Sequence, residues 1–256
     1  MVRLSVNVNK VATLRNSRGG TVPSVLEAVR VCIAAGAPGI TVHPRADSRH
    51  ITFADVTEIA AELSPFRNRV EFNIEGDPRP AFLDLVCQVR PDQCTLVPVQ
   101  PGEITSQAGW STATPTEEMR RIIDRLHAAG VRVSLFVDPE LEPVEWAARV
   151  TADRIELYTE PYARAFERGG RILEERFLKY SRAADRAHEL ALGVNAGHDL
   201  DLDNLLLFRT MPHLDEVSIG HALISRALFA GLDTVVREYL EVLHESPNGP
   251  VLSTEY

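Results

Sequence analysis

Residues 190–199 read Leu-Ala-Leu-Gly-Val-Asn-Ala-Gly-His-Asp. The run is short and mostly apolar, and it closes on glycine, histidine and a carboxylate. A strand that is apolar on both faces belongs in a parallel sheet covered by helices, where neither face meets water. The same pattern recurs along the chain: apolar, β-branched runs occupy Val2–Val8, Gly39–His43, Val70–Ile74, Gln93–Pro98, Val131–Val137, Arg154–Tyr158, Leu190–Asn195 and Glu216–Ile219. A segment of helical period follows each. Eight such units without a break in composition predict an α/β chain folded as one closed (β/α)8 TIM barrel, with extra helical segments in the βα loops. The expected barrel covers residues 1–246, and 247–256 form a loose tail.

Helix punctuation agrees with this reading. Pro23 suits a first helical turn, and Val25–Ala35 runs to a terminating Gly36. Thr52 is placed to cap Phe53–Leu63. Thr114-Pro115-Thr116-Glu117 reads as a capping box opening Glu118–Ala129, which stops at Gly130. Asp77-Pro78 and Asp138-Pro139 open two further helices, and Leu223–His244 reads as one long amphipathic helix. Three connections are long: Asn9–Val22, Val99–Thr114 and Thr159–Arg171, the last with a short extra helix. In a compact domain, loops of this length commonly serve as lids or binding loops.

Composition excludes some function classes. The chain has 256 residues, 45% hydrophobic and 25% charged, with a net charge of −9. A nucleic acid or an anionic membrane needs a basic face, which that balance opposes. Cys32, Cys87 and Cys94 are odd in number, form no CxxC and lie in apolar runs, so they read as reduced thiols of a cytoplasmic protein. No run approaches the roughly 20 apolar residues that span a bilayer. The chain opens directly on a strand pattern, so no signal peptide is expected.

In this architecture the carboxyl ends of the strands hold the active site. The first strand ends in Asn7, Asn9 and Lys10, the second in His43 and Arg45, the third in Asn73 and Glu75. Glu103 and Thr105 follow the fourth, and Asp138 the fifth. The sixth ends in Glu156, Tyr158 and Glu160, the seventh in Asn195, Gly197, His198 and Asp199, the eighth in Gly220 and His221. Three of eight histidines at three strand ends favour acid–base chemistry near neutral pH. His43, His198 and His221 with a carboxylate could instead ligate zinc. No HxH or HExxH pairing occurs, however, and the neighbouring arginines oppose a cation. Gly197 and Gly220 stand where strands seven and eight customarily let backbone N–H groups approach a phosphate. Arg18 and Arg45, with His50 close behind, offer a second anion site. Lys10 and Lys179 are the sole lysines, so a Schiff-base aldolase would have Lys10 as its one candidate.

These strand ends resemble the pyridoxine 5′-phosphate synthase family over about residues 3–240. The matching runs are Val6-Asn7-Val8, Ala12–Gly19, Gly39–Arg45 with Arg49-His50-Ile51, Asn73-Ile74-Glu75, Leu96-Val97-Pro98, Val133–Phe136, Val194–His198 and Ile219–Ala222. The resemblance implies a transferase that condenses 1-deoxy-D-xylulose 5-phosphate with 3-amino-2-oxopropyl phosphate, closing a pyridine ring and releasing phosphate and water. It implies no metal or organic cofactor and a homo-octamer. It assigns His43 and Glu75 as general bases and His198 as the proton donor. Asn7, Arg18, Asp199, Gly220 and His221 would hold the aminoketone phosphate; Arg45, His50 and Thr105 would hold the deoxyxylulose phosphate. Two positions depart from the common pattern. Asn9-Lys10 stands where many members carry Asp-His, and Asp199 replaces a glycine. Another phosphosugar barrel, an aldolase or isomerase, and a catalytically silent phospholigand-binding barrel are the alternative readings.

Overall fold

The computed structural model describes residues 1–98 and 108–244. Eight parallel strands close into a barrel in chain order: β1 (Arg3–Asn7), β2 (Gly39–Val42), β3 (Glu71–Gly76), β4 (Gln93–Leu96), β5 (Arg132–Val137), β6 (Arg154–Tyr158), β7 (Gly193–Gly197) and β8 (Leu214–Ile219). Around it lie α1 (Asn9–Asn16), α2 (Val25–Ala35), α3 (Phe53–Leu63), α4 (Pro80–Val89), α5 (Thr116–Ala128), α6 (Leu141–Arg149), α7 (Glu160–Arg168), α8 (Gly170–Glu189), α9 (Leu202–Phe208), α10 (His221–Ala230) and α11 (Leu232–His244). None of the described helices is long and apolar enough to cross a membrane. The expected tail over 247–256 lies outside the described residues.

The strands differ from the sequence reading in one important way: they alternate. Leu4, Val6, Ile40, Val42, Phe72, Ile74, Val133, Leu135, Ile155 and Leu157 belong to the continuous apolar core shared with the helices. The intervening residues are mostly polar, apart from Phe136, and many hydrogen-bond to one another. Ser5 and Thr41 share a 2.6 Å hydroxyl bond, Asn73 Nδ2 donates to Thr41, and Thr95 Oγ1 donates to Asn73 Oδ1 at 3.1 Å. Arg132 Nε donates to Gln93, and Arg154 Nη1 donates to Asn195 Oδ1 at 2.8 Å. Barrels of this class ordinarily fill their interior with branched apolar side chains. Here hydroxyls, amides and carboxyls fill it, and each needs a partner because burying one unpaired is costly.

Several elements confirm their local signals. Gly36 closes α2 at φ 100, in the left-handed region. Thr52 caps α3, and Asp55 reaches back to form the capping box. Others correct them. Helix α5 begins at Thr116 behind Pro115 with no side-chain cap, so the capping box expected there is not formed. Pro23 precedes the cap Ser24, whose hydroxyl accepts from Glu27 N. Helices α4 and α6 start two to three residues beyond Asp77-Pro78 and Asp138-Pro139. The Asn9–Val22 connection contains α1, in which Val11 and Ala12 are the buried residues. Thr159–Arg171 holds all of α7 and the start of α8. Leu190 closes α8 rather than opening β7. The last helix is two helices, broken at Gly231 with φ 87.

Candidate active site

A cavity of about 480 Å³ opens at the carboxyl ends of the strands. It brings together Asn7, His43, Arg45, His50, Glu75, His198, Asp199, Gly220 and His221, and adds Asn9, Lys10, Arg49, Phe136 and Glu156. Arg18 sits on the exposed turn after α1, outside this lining. Thr105 and Glu103 lie outside the described residues. Asn73 and Asn195 belong to the polar interior below the cavity.

The closed end of the cavity is built by β1, β2 and β3. Asn7 donates its amide to Glu75 Oε2 at 3.4 Å and accepts from the Asn9 backbone N–H. Asn9 Oδ1 in turn accepts from the His43 backbone N–H at 2.9 Å, tying the ends of β1 and β2 together. Burial pushes the Glu75 carboxyl up to about 8. Burial, reinforced by His50, Arg45 and Arg79, pushes His43 down to about 3. His43 Nδ1 lies 3.8 Å from Glu75 Oε2. At neutral pH these two are therefore neutral neighbours, not an ion pair: the carboxyl holds a proton and the imidazole holds no extra one. His43 Nε2 is buried and has no hydrogen-bond partner among the described residues.

Glu156 completes this group from β6. It is buried, and its Oε2 also lacks a partner among the described residues. Burial first, and then the nearby Glu75, drives its carboxyl well above the usual range. Two carboxyls pushed upward together form a proton store, because neither sheds its proton easily beside the other. In the sequence Glu156 stands at a strand end without an assigned role, and a lone acid between the core residues Ile155 and Leu157 is the signal that marks it. Gly197 makes room for it, since a Cβ there would stand 2.6 Å from Glu156 Oε1. Gly197→Ala is therefore expected to displace the carboxylate and lower turnover by up to about 10²-fold. Turnover equal to wild type would show that the Glu156 position is immaterial.

The rim is cationic. Lys10, Arg45, Arg49 and His50 line it, with Asp47 as a countercharge 2.6 Å from Arg49 and 3.9 Å from Arg45. Burial, Arg45 and Lys10 hold His50 down to about 4. Its Nδ1 accepts from the Ile51 N–H at 2.9 Å, so the neutral ring carries its proton on Nε2 and can donate it to an anion. The loop is held from behind: Arg15 forks onto Asp55 and, with Asn16, donates to the His50 carbonyl.

The opposite wall comes from β7 and β8. His198 Nδ1 lies 3.1 Å from Asp199 Oδ2. Gly220 packs against β1, where a Cβ would meet Asn7 at 3.1 Å. Helix α10 starts at His221 with neither a side-chain cap nor an acid in its first turn, leaving its amino end open to an anion. Among the described residues no three His, Cys, Asp or Glu side chains converge as a metal-ligand group.

Fold and cavity together define a (β/α)8-barrel enzyme with buried titratable groups at the closed end of its cavity and cationic side chains at its rim. The family model described as pyridoxal phosphate biosynthesis protein PdxJ matches residues 4–245. The pyridoxine 5′-phosphate synthase of Porphyromonas gingivalis is 50% identical over 244 residues, covering 95% of this chain and 99% of the relative. That of Christiangramia forsetii is 52% identical, covering 95% and 100%. Among solved structures, phosphoribosyl anthranilate isomerase from Thermotoga maritima superposes with a TM-score of 0.61 at 15% identity, covering 95% of this chain and 98% of that one. Thiamine phosphate pyrophosphorylase from Pyrococcus furiosus gives 0.60 at 14%, covering 94% and 95%. At such identities these two speak for the fold alone. The chain belongs to the PdxJ family, the pyridoxine 5′-phosphate synthases.

Proposed function

We propose that this cavity joins 1-deoxy-D-xylulose 5-phosphate to 3-amino-2-oxopropyl phosphate and closes the pyridine ring, releasing phosphate and water. The observation that carries the reading is the neutral His43 3.8 Å from Glu75, with the Glu75 and Glu156 carboxyls both raised by burial, in a cavity whose rim is cationic. Condensing an amine with a ketone, and the dehydrations that follow, need groups that accept protons and groups that give them. The neutral His43 ring can accept a proton, and its Nε2 has no partner among the described residues. The incoming ammonium brings positive charge toward Glu75 and Glu156, and an opposite charge at that distance favours the ionised carboxylate. Glu75 thus becomes a base once substrate is bound. His198 returns protons to the departing oxygens.

The two phosphates anchor the reacting carbons from either side. Arg45 and His50, with Thr105, hold the deoxyxylulose phosphate, and Lys10 adds charge beside them. Gly220 and His221 at the start of α10, with Asn7 and the backbone of Asp199, hold the aminoketone phosphate. Arg18 joins them when its turn moves inward or a neighbouring copy brings it to a site. Leu228 and Phe229, 66% and 94% exposed on α10, support an assembly of copies, which we read as the family's octamer. Three unpaired thiols and phosphorylated substrates support a cytoplasmic setting.

The test mixes both phosphorylated substrates with the protein and follows pyridinol absorbance and released phosphate. Both signals should appear with equal stoichiometry. Absence of product at high enzyme concentration sinks the reading, and ligand binding without turnover would point to a silent barrel.

A further inference from the structure

We infer that Asp199 is a positioning residue for His198: its carboxylate accepts a hydrogen bond from Nδ1–H and so presents Nε2 to the substrate. The inference rests on the reading of His198 as proton donor, and it concerns a carboxylate side chain at a position proposed to supply only its backbone.

The geometry supports this role. Asp199 Oδ2 lies 3.1 Å from His198 Nδ1, and among the described residues this is the carboxylate's one hydrogen bond. That bond, followed by the charges of His198, Arg164 and His221, holds the carboxyl below its usual range. An ionised carboxylate only accepts, so Nδ1 must donate. The ring proton is then fixed on Nδ1, and Nε2 is the nitrogen left for chemistry. When Nε2 also carries a proton to give away, the carboxylate steadies the positive ring. A carboxylate behind an imidazole does the same two things in hydrolase triads.

The backbone is built to hold the pair. His198 has φ 93 and Asp199 φ 55, a left-handed region that residues with a side chain enter only when their surroundings enforce it. Three residues enforce it here. The buried Thr159 hydroxyl shares its one proton between the Gly197 carbonyl, at 2.7 Å, and the His198 carbonyl. Asn204 Nδ2 donates to the Asp199 carbonyl at 3.1 Å. The Tyr158 ring stands edge-on to the His198 imidazole, centroids 5.1 Å apart at 81°. Helix capping does not account for Asp199, because Asp201 caps α9 by accepting from the Asp203 and Asn204 N–H groups.

The test compares Asp199→Asn and Asp199→Gly, each alone and combined with His198→Asn, in the full-length enzyme with both phosphorylated substrates. Asparagine keeps the shape but can turn an amide N–H toward Nδ1, moving the ring proton to Nε2. Glycine suits the left-handed backbone and keeps the backbone N–H. Each single variant should lower kcat by about 10- to 10²-fold while both KM values stay within about threefold. Added to His198→Asn, neither should cause a further loss, because Asp199 acts through that ring. An unchanged kcat overturns the inference. So does a raised KM for the aminoketone phosphate at unchanged kcat, which would mean that the carboxylate binds the substrate ammonium. A multiplicative loss on the His198→Asn background also overturns it. Full turnover by His198→Asn removes the proton-donor reading and this inference with it, whereas a slow His198→Asn beside a full-rate Asp199→Asn overturns the positioning role alone.

Discussion

His198→Asn is expected to slow ring closure by about 10²- to 10⁴-fold, the range a positioned acid or base contributes, and to leave the fold and the binding of both phosphates intact. Asparagine is the informative replacement. It is among the residues that best tolerate a positive φ, so it suits the φ of 93 at this position better than most alternatives. Its amide can still hydrogen-bond to Asp199 but cannot pass a proton at neutral pH. Loss of turnover with an unchanged melting temperature and unchanged phosphate affinity therefore isolates the proton transfer. The measurement is pyridinol formation at saturating substrates, alongside thermal melts and titration with each phosphorylated substrate. Wild-type turnover would remove His198 from the mechanism. A lower melting temperature would assign the residue to the backbone of the β7–α9 loop.

The barrel was readable because its helix-facing positions are strictly apolar. Leu4 and Val6, Ile40 and Val42, and Ile155 and Leu157 recur at every second position and stand out whatever lies between them. The residues between were misread, because small polar side chains such as Ser5, Thr41, Thr95 and Ser134 look neutral in a short run. Only the closed barrel sets them against one another across its axis. Helix α1 escaped notice for a related reason: with Val11 and Ala12 as its buried residues, it has no apolar stripe long enough to show a period. The site was legible where polar residues end a strand, as at His43, Glu75 and His198. Glu156 was legible as a strand-end acid, but its role was not. Glu156 lies between two core residues, and its nearness to Glu75 is a consequence of barrel closure that sequence separation conceals. Arg18 is the converse: its neighbours in the chain suggested an anion site, yet its turn leaves it exposed.

Glu75→Gln is expected to separate activity from stability. Glutamine is close in shape to the protonated carboxyl and can still accept from Asn7, so the neutral form of the site is preserved. It can neither take nor give a proton, and turnover should fall by about 10²- to 10⁴-fold. Stability should move the other way at alkaline pH. The Glu75 carboxyl titrates near 8 in the folded chain against an ordinary 4.5, so over that interval the folded state binds more protons than the unfolded one. Stability is then whole below the ordinary value and is lost as pH rises toward 8. Glu156 and Glu216 are also raised by burial and add slope of the same sign. His43 works in the opposite sense. Its folded value near 3 lies below the ordinary 6.5, so its contribution is whole above 6.5 and is lost as pH falls. The clean window for the carboxyls is therefore between about pH 6.5 and pH 8. Across it the urea midpoint of the wild-type enzyme should fall, and that of Glu75→Gln should fall less. The difference should exceed the share of Glu75 alone, since removing its charge also eases the ionisation of Glu156. Equal slopes in the two proteins would show that burial does not hold Glu75 protonated, and full turnover by Glu75→Gln would take it out of the chemistry. A variant that is slower and more stable would mean that this family member carries buried carboxyls at a cost in stability because the reaction needs their protons.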